Sequence, residues 1–393
     1  MKIVHVITRL IVGGAQENTL LSCEGLAARG HEVTLLSGQT TGPEGSLVER
    51  ARSGKYHFEE TPSLYRHITP TNDLNALLQL RTRFEQLAPD VVHTHSSKAG
   101  IIGRIAAHQA GVPIIVHTIH GMSFNRTQSR PMQLLYAAVE RLCADYCHAI
   151  VSVADSMTQQ SLEASIGRAE QYTTIRSGMV AAAFNPTYHN ATIRRRHLLP
   201  PMLREKADQL CIVGTVARLF TDKGYEQLID VIERALSHAP NLHFVWIGGG
   251  LLREHYETEL TLRGLRDHVT FTGLISPDDI PGVLAGIDML AHTSQWEGLP
   301  RAVVQALLME KPAVCFAVDG APEVVIPGVT GELAALGDTD AFATALVRLA
   351  HDPAMRHRYG TEGRRRCLTD FDHNVMVDRL DALYHRLGRA HLP

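Results

Sequence analysis

The chain has 393 residues, too long for one ordinary hydrophobic core, so two or three domains are expected. Its 45% hydrophobic and 20% charged residues suit a soluble globular protein, and a formal net charge of −3 gives no reason to expect nucleic acid as a partner. No apolar run approaches membrane-spanning length. Residues 1–2 lead straight into a strand-like run and not into a signal peptide. The six cysteines (Cys23, Cys143, Cys147, Cys211, Cys315, Cys367) are scattered in mostly apolar surroundings. Cys143 and Cys147 share a helix face, but no further ligand completes a metal set. Reduced thiols and a cytoplasmic location are expected.

From the N-terminus, apolar β-rich runs at 3–8, 32–37, 91–95, 113–120, 149–154 and 172–176 read as strands. Amphipathic stretches such as 18–28, 73–87 and 132–145 separate most of them. The pattern then restarts, with strands at 210–217, 242–247, 269–273, 289–292 and 312–317 and helices at 224–237, 251–263 and 277–285. This alternation predicts an α/β fold with two tandem doubly wound, Rossmann-like domains facing across a cleft. The expected boundaries are 1–182 for the first domain, 183–370 for the second and 371–393 for a C-terminal amphipathic helix. That helix carries Val375, Val377, Leu380, Leu383, Tyr384 and Leu387 along one side, and is expected to pack back on the first domain. The basic cluster Arg194, Arg195, Arg196, His197 could meet anionic lipid or an acidic substrate, but a solvated helix face is its commoner meaning.

In doubly wound sheets ligands sit off the carboxyl ends of the strands, so the loops there are the ones to search. The first holds Gly13 and Gly14, where backbone can approach a ligand and a helix start favours an anion. It is no GxGxxG fingerprint, and the second strand ends in Ser37-Gly38-Gln39 without a ribose-binding acid, so nicotinamide and flavin enzymes are disfavoured. His93, His95 and His117 read as core histidines. His120, at a strand's carboxyl end before Gly121, reads as a cleft residue. Arg218 and Lys223 bracket the first strand–helix loop of the second domain and suit a diphosphate, a planar fork beside a mobile point charge. The turn at Gly248, Gly249 and Gly250 and the segment Thr272, Gly273, Leu274 offer backbone to a flat base, although a tight turn alone explains glycines too. Asp338-Thr339-Asp340 looks like a metal-binding DxD but opens a helix, which makes Asp338 a cap. In Trp296-Glu297-Gly298-Leu299-Pro300, a carboxylate precedes a helix whose first position fits Pro300, and that helix start favours phosphate.

Taken in order and spacing, these pieces resemble the family-four retaining glycosyltransferases of the GT-B fold, over nearly the whole chain. The resemblance rests on Gly13-Gly14, His120-Gly121, Thr174 to Gly178, Val216-Ala217-Arg218 with Lys223-Gly224, Phe244 to Gly250, Val269 to Gly273, Glu297 to Pro300 and Lys311 to Val314. It implies transfer of a sugar from a nucleotide diphosphate sugar, with retention of configuration, without a metal or other cofactor. The acceptor would be a saccharide, a lipid-linked saccharide or a small molecule, with peripheral contact at the inner membrane surface. Arg218 and Lys223 would neutralise the leaving diphosphate, His120 would lie near the donor sugar, and Glu297 would accept from sugar hydroxyls. Gly298 and Leu299 would offer backbone N–H groups. At the position of the family's second glutamate, which holds the ribose, stands Gln305. An amide in place of that carboxylate weakens donor binding by about 1 kcal/mol. The polar loop 122–132, with Arg126 and Arg130, would face the acceptor. A nucleotide-sugar epimerase and a non-catalytic nucleotide-sugar-binding homologue are the alternatives.

Overall fold

The computed structural model describes residues 1–41, 45–124 and 128–392, so Arg126 lies outside the described residues. By internal contacts the chain divides into two units, Met1–Met179 with His373–Pro393, and Val180–Asp372.

The first unit holds a parallel sheet of β1 (Lys2–Ile7), β2 (Glu32–Ser37), β3 (His57–Glu60), β4 (Val91–His95), β5 (Ile114–Ile119), β6 (Ala149–Ser152) and β7 (Tyr172–Thr174). Their spatial order is β3-β2-β1-β4-β5-β6-β7, so the winding reverses between β1 and β4. The two-residue period of β1 sends Ile3 and Ile7 to one face and Val4 and Val6 to the other. On the first face they meet Leu20 and Leu26 of the helix Gly14–Ala28 and Met376, Leu380 and Tyr384 of the C-terminal helix His373–His391. On the second they meet Leu80 and Phe84 of the helix Pro70–Leu87 and Ile102 and Ala106 of the helix Ser97–Gln109. Each such side chain contributes roughly 1.5–3 kcal/mol of apolar burial. Gly25 lets the terminal helix dock closely, since a Cβ there would lie 2.6 Å from Val377 Cγ2.

The second unit repeats the plan with β8 (Cys211–Val216), β9 (Leu242–Ile247), β10 (Val269–Gly273), β11 (Met289–His292), β12 (Ala313–Phe316) and β13 (Gly331–Ala334), ordered β10-β9-β8-β11-β12-β13. Its core gathers around Trp246, whose ring centroid lies 4.6 Å from that of Tyr225 on the helix Tyr225–His238. The reversal here falls between β8 and β11, so each sheet has one switch point.

Two doubly wound α/β sheets are thus present, as expected. The edge strands β3 (HFEE) and β13 (GELA) were not anticipated, because an edge has one neighbour and needs little apolar pattern. Several expected strands are trimmed by a residue or two where loops begin; 172–176, for example, is β7 (Tyr172–Thr174). Within the basic cluster Arg194, Arg196 and His197 are exposed, as a solvated face requires, but Arg195 turns inward to Asp288 at 2.8 Å. Asp338 Oδ1 accepts from the Ala341 N–H at 2.9 Å and caps the helix Thr339–His351. All six cysteines are buried and unpaired. Among the described residues no helix is long and apolar enough to cross a membrane.

Candidate active site

In the second unit β8 ends at Val216, and the loop behind it carries Arg218, exposed, with its guanidinium 4.9 Å from the Phe220 ring centroid. Lys223 ends a short turn, and Gly224 follows at φ +69°. A Cβ on Gly224 would lie 2.0 Å from the Thr293 carbonyl oxygen, so only glycine permits this approach. The contact binds the loop after β8 to the loop after β11. Thr293 Oγ1 donates to the Lys223 carbonyl at 3.0 Å, and the Gln295 N–H donates to the Asp222 carbonyl at 3.0 Å.

That clamp sets Lys223 Nζ 2.9 Å from Glu297 Oε1 and 3.8 Å from Asp222 Oδ2, beside the Trp296 ring. Both side chains are mostly buried, each 17% exposed. Burial alone would push the Glu297 carboxyl up, but the Lys223 charge and His292 outweigh it and hold the group well below the usual carboxylate range. Burial would likewise lower Lys223, yet the Glu297 carboxylate prevails and raises it. The pair is therefore fully ionic at neutral pH. His292 Nε2 lies 3.3 Å from the same Glu297 oxygen, without the alignment of a hydrogen bond.

Beyond Glu297 the backbone is pinned as well. The Glu297 N–H donates to Asp319 Oδ2 at 2.7 Å, and the Gly298 carbonyl accepts from the Gly320 N–H at 3.1 Å. Asp319 holds φ +46°, a conformation that costs about 1–3 kcal/mol in a non-glycine residue and collects at ligand sites. Gly298, Leu299 and Pro300 are buried. The helix after them is Arg301–Leu308, with Pro300 as its N-cap and not at its first position. The reason is the Pro300 ψ of 92°, which is extended, while its carbonyl already accepts from Val303 and Val304. The first turn holds no acid, and the positive end of its helix dipole favours an anion. Gln305 is half-buried on this helix. Among the described residues His292 Nε2, Ser294 Oγ and Trp296 Nε1 are buried with no hydrogen-bond partner, an accumulation that marks a site built for a polar ligand.

The glycines divide by cause. Gly248 (φ +144°) and Gly250 have structural reasons, since a Cβ would lie 2.1 Å from the Ala217 carbonyl and 2.4 Å from the Leu219 carbonyl. They fit the glycine turn against the loop that bears Arg218. Gly273 needs glycine for its φ of +73° alone, and Leu274 next to it is 66% exposed.

The first unit places Gly13 as N-cap of the helix Gly14–Ala28, in extended backbone. His120 follows β5 directly and is half-buried. Its Nε2 lies 3.0 Å from His95 Nδ1, and His95 Nε2 lies 2.9 Å from His5 Nδ1. His93 stacks on His95 with ring centroids 4.4 Å apart, and bonds Thr118 Oγ1 at 2.6 Å and the Tyr384 hydroxyl. Burial keeps these rings neutral, with His5 pushed down to about 3 and His93 and His95 well below their ordinary value. His93 and His95 are core residues as expected, but they also buttress His120.

His292 and Asp319 join this cluster although their local sequence does not single them out. A residue at or just after a strand's carboxyl end was the available signal, and His292 closes β11 while Asp319 follows β12.

Comparison with known proteins bears on family and fold. Residues 204–366 match the model for "Glycosyl transferases group 1", and residues 13–178 match the model for a "Glycosyl transferase 4-like domain". The UDP-Gal:alpha-D-GlcNAc-diphosphoundecaprenol alpha-1,3-galactosyltransferase of Escherichia coli is 27% identical over 392 residues, 98% of this chain and 96% of that protein. The alpha-D-kanosaminyltransferase of Streptomyces kanamyceticus is 26% identical over 320 residues, 79% of this chain and 81% of that protein. The fold is also that of Anabaena Alr3699/HepE, solved in complex with UDP and glucose, with a TM-score of 0.81 at 21% identity over 98% of this chain and 100% of that one. Together the two family matches span most of the chain, and it belongs to the family-four glycosyltransferases of the GT-B fold.

Proposed function

We propose that the chain moves a sugar from a nucleotide diphosphate sugar to a saccharide or lipid-linked acceptor, with retention of configuration and without a metal. The observation that carries this is the ionic Lys223–Glu297 pair among buried polar atoms that have no hydrogen-bond partner, next to a helix start with no acid in its first turn. An arriving diphosphate supplies the anion that Lys223 now finds in Glu297, with Arg218 and the helix start sharing its charge. Glu297, released but still ionised, accepts from hydroxyls of the donor sugar. Gly298 and Leu299 lend N–H groups, for which no acceptor exists among the described residues. Gln305 meets the ribose with its carbonyl, and Gly248, Gly273 and Leu274 border the base. In the first unit His120, Gly13 and Gly14 serve the sugar.

In this reading Glu297 is engaged with hydroxyls of the donor sugar, so no covalent sugar intermediate at the anomeric carbon is invoked. The acceptor hydroxyl attacks that carbon from the face the diphosphate leaves. The C–O bond to the leaving group breaks, the new glycosidic bond forms, and a departing phosphate oxygen takes the hydroxyl proton. Residue charge does the work otherwise given to a metal, so chelator is expected to leave the rate unchanged. The Escherichia coli relative, a transferase named for a GlcNAc-diphosphoundecaprenol acceptor, favours a lipid diphosphate-linked saccharide as acceptor here.

The test is incubation of the purified chain with labelled nucleotide sugars and a panel of acceptors. Glycoside product with the donor's anomeric configuration, read by proton NMR, supports the proposal. A new isomer of the nucleotide sugar would assign epimerisation, and tight binding without turnover would assign a non-catalytic role.

A further inference from the structure

The C-terminal helix His373–His391 carries Asp381 and His385 one turn apart, the i, i+4 spacing that puts two side chains on one helix face. That face meets His31, in the turn between the helix Gly14–Ala28 and β2. The turn is held by its own backbone. The Gly30 N–H donates to the Ala27 carbonyl at 3.0 Å and the His31 N–H to the Leu26 carbonyl at 3.2 Å, with Gly30 at φ +87°. The His31 side chain is only 6% exposed.

Three potential ligand atoms converge here. His31 Nε2 lies 2.7 Å from Asp381 Oδ1, and His385 Nε2 lies 3.3 Å from the same oxygen. All three atoms fall within 4.8 Å of one another, and the two ring centroids are 5.8 Å apart. In a tetrahedral site with ligands about 2.0–2.1 Å from the ion, neighbouring ligand atoms stand about 3.3 Å apart. His385 is already at that distance from Asp381, and His31 reaches it by withdrawing about half an ångström.

A hydrogen bond alone explains the contact of His31 with Asp381. It does not explain His385, whose Nε2 faces Oδ1 without the alignment of a hydrogen bond. Nor does it give the carboxylate a fixed counter-charge. Among the described residues no lysine or arginine pairs with Asp381, whereas Asp378, one turn earlier, has Arg29. Two imidazoles and one carboxylate are a donor set for a borderline ion such as zinc, and not for calcium or magnesium, which take oxygen ligands.

We propose that His31, Asp381 and His385 bind a zinc-class divalent metal ion, which staples the C-terminal helix to the first unit. Each residue gives one ligand atom, and the exposed side at His385 leaves a fourth position to water. No residue assigned to sugar transfer belongs to this cluster. The ion is therefore structural, and its site stands apart from the transferase reading.

The test uses the full chain without an affinity tag, stripped of metal by chelator and dialysed. Calorimetric titration with Zn2+ is expected to show a site of micromolar Kd or tighter, which Asp381→Asn and His385→Ala each weaken at least about tenfold. Unchanged circular dichroism shows that both variants fold. His57→Ala, which removes an exposed imidazole paired with Glu59, leaves the site as it was. Co2+ in place of Zn2+ gives the visible absorption of a four- or five-coordinate ion, and His385→Ala loses it. Zn2+ also raises Tm and slows amide hydrogen exchange within 373–391, and does neither in His385→Ala. No binding at micromolar Zn2+, or binding indifferent to Asp381 and His385, overturns the site. Binding there without added protection of the helix overturns the staple.

Discussion

The two switch points are built on one plan and furnished in opposite ways. In the first unit β1 and β4 carry a buried block of neutral imidazoles, with hydroxyls and cations at the rim. In the second, β8 and β11 lead into loops that meet over a buried but fully charged pair, Lys223 and Glu297. The parallel sheets supply the same crevice in both. What differs is whether the chemistry behind it is neutral and rigid or ionic and waiting for a competing anion. A neutral relay fixes the orientation of a residue such as His120, whereas an ion pair can be exchanged for a ligand.

That contrast can be broken in several places. The largest effect is expected from Lys223→Ala, with turnover reduced about 10²–10³-fold. It also leaves Glu297 without its counter-charge, so Tm falls by the equivalent of roughly 3 kcal/mol in thermal denaturation. Arg218→Ala is the sharper control. Turnover falls about 10²-fold, but Arg218 is exposed and the melting curve does not move. Equal Tm losses in the two variants would deny the pair its structural part.

Acid separates the units themselves. In the first, burial lowers His5, His93, His95, His117 and His148 below their ordinary value of 6.5. The unfolded chain then binds more protons than the folded one, so stability is lost as pH falls below 6.5, by about 1.4 kcal/mol per pH unit for each ring that stays neutral. In the second unit burial likewise lowers His243, to about 4. Glu297 adds a loss that begins only below its ordinary 4.5, because its folded value is depressed. Both tryptophans, Trp246 and Trp296, lie in the second unit, so their fluorescence reports that unit alone. On acidification helical circular dichroism is expected to decline at a higher pH than tryptophan fluorescence changes; the reverse order would refute the comparison. The smallest effect is Gln305→Glu, which tightens donor binding several-fold, about 1 kcal/mol, in a calorimetric titration.

Much of this was legible before the structure. Strand–helix alternation predicts both sheets, which are present, and position at a strand's carboxyl end marks His120, Arg218 and Glu297 as candidates. What stayed hidden depends on contacts between segments far apart in the chain. His5 and His93 are 88 residues apart and lie side by side only because of the β1–β4 register. The Lys223–Glu297 pair spans 74 residues and exists because Gly224 passes under Thr293. Pro300 was placed one position too far into its helix, since the proline-at-N1 rule does not know its ψ. For Gly248 and Gly250 the tight-turn explanation, open in the sequence, accounts for why nothing larger fits. Edge strands β3 and β13 left little trace because they need little apolar surface.

The C-terminal helix has a consequence for how the molecule comes into being. It supplies Met376, Val377, Leu380, Leu383 and Tyr384 to the core of the first unit, and Tyr384 reaches the His93 ring. The first unit is therefore discontinuous in the chain, while Val180–Asp372 is an uninterrupted segment. During synthesis the leading half emerges with one face of its sheet only partly covered, by the helix Gly14–Ala28, and the remainder of that face stays wet until His373–His391 has been made. The second unit has no such debt. Vectorial synthesis thus lets the part made later finish folding first, and leaves the part made first in need of protection from aggregation in the meantime.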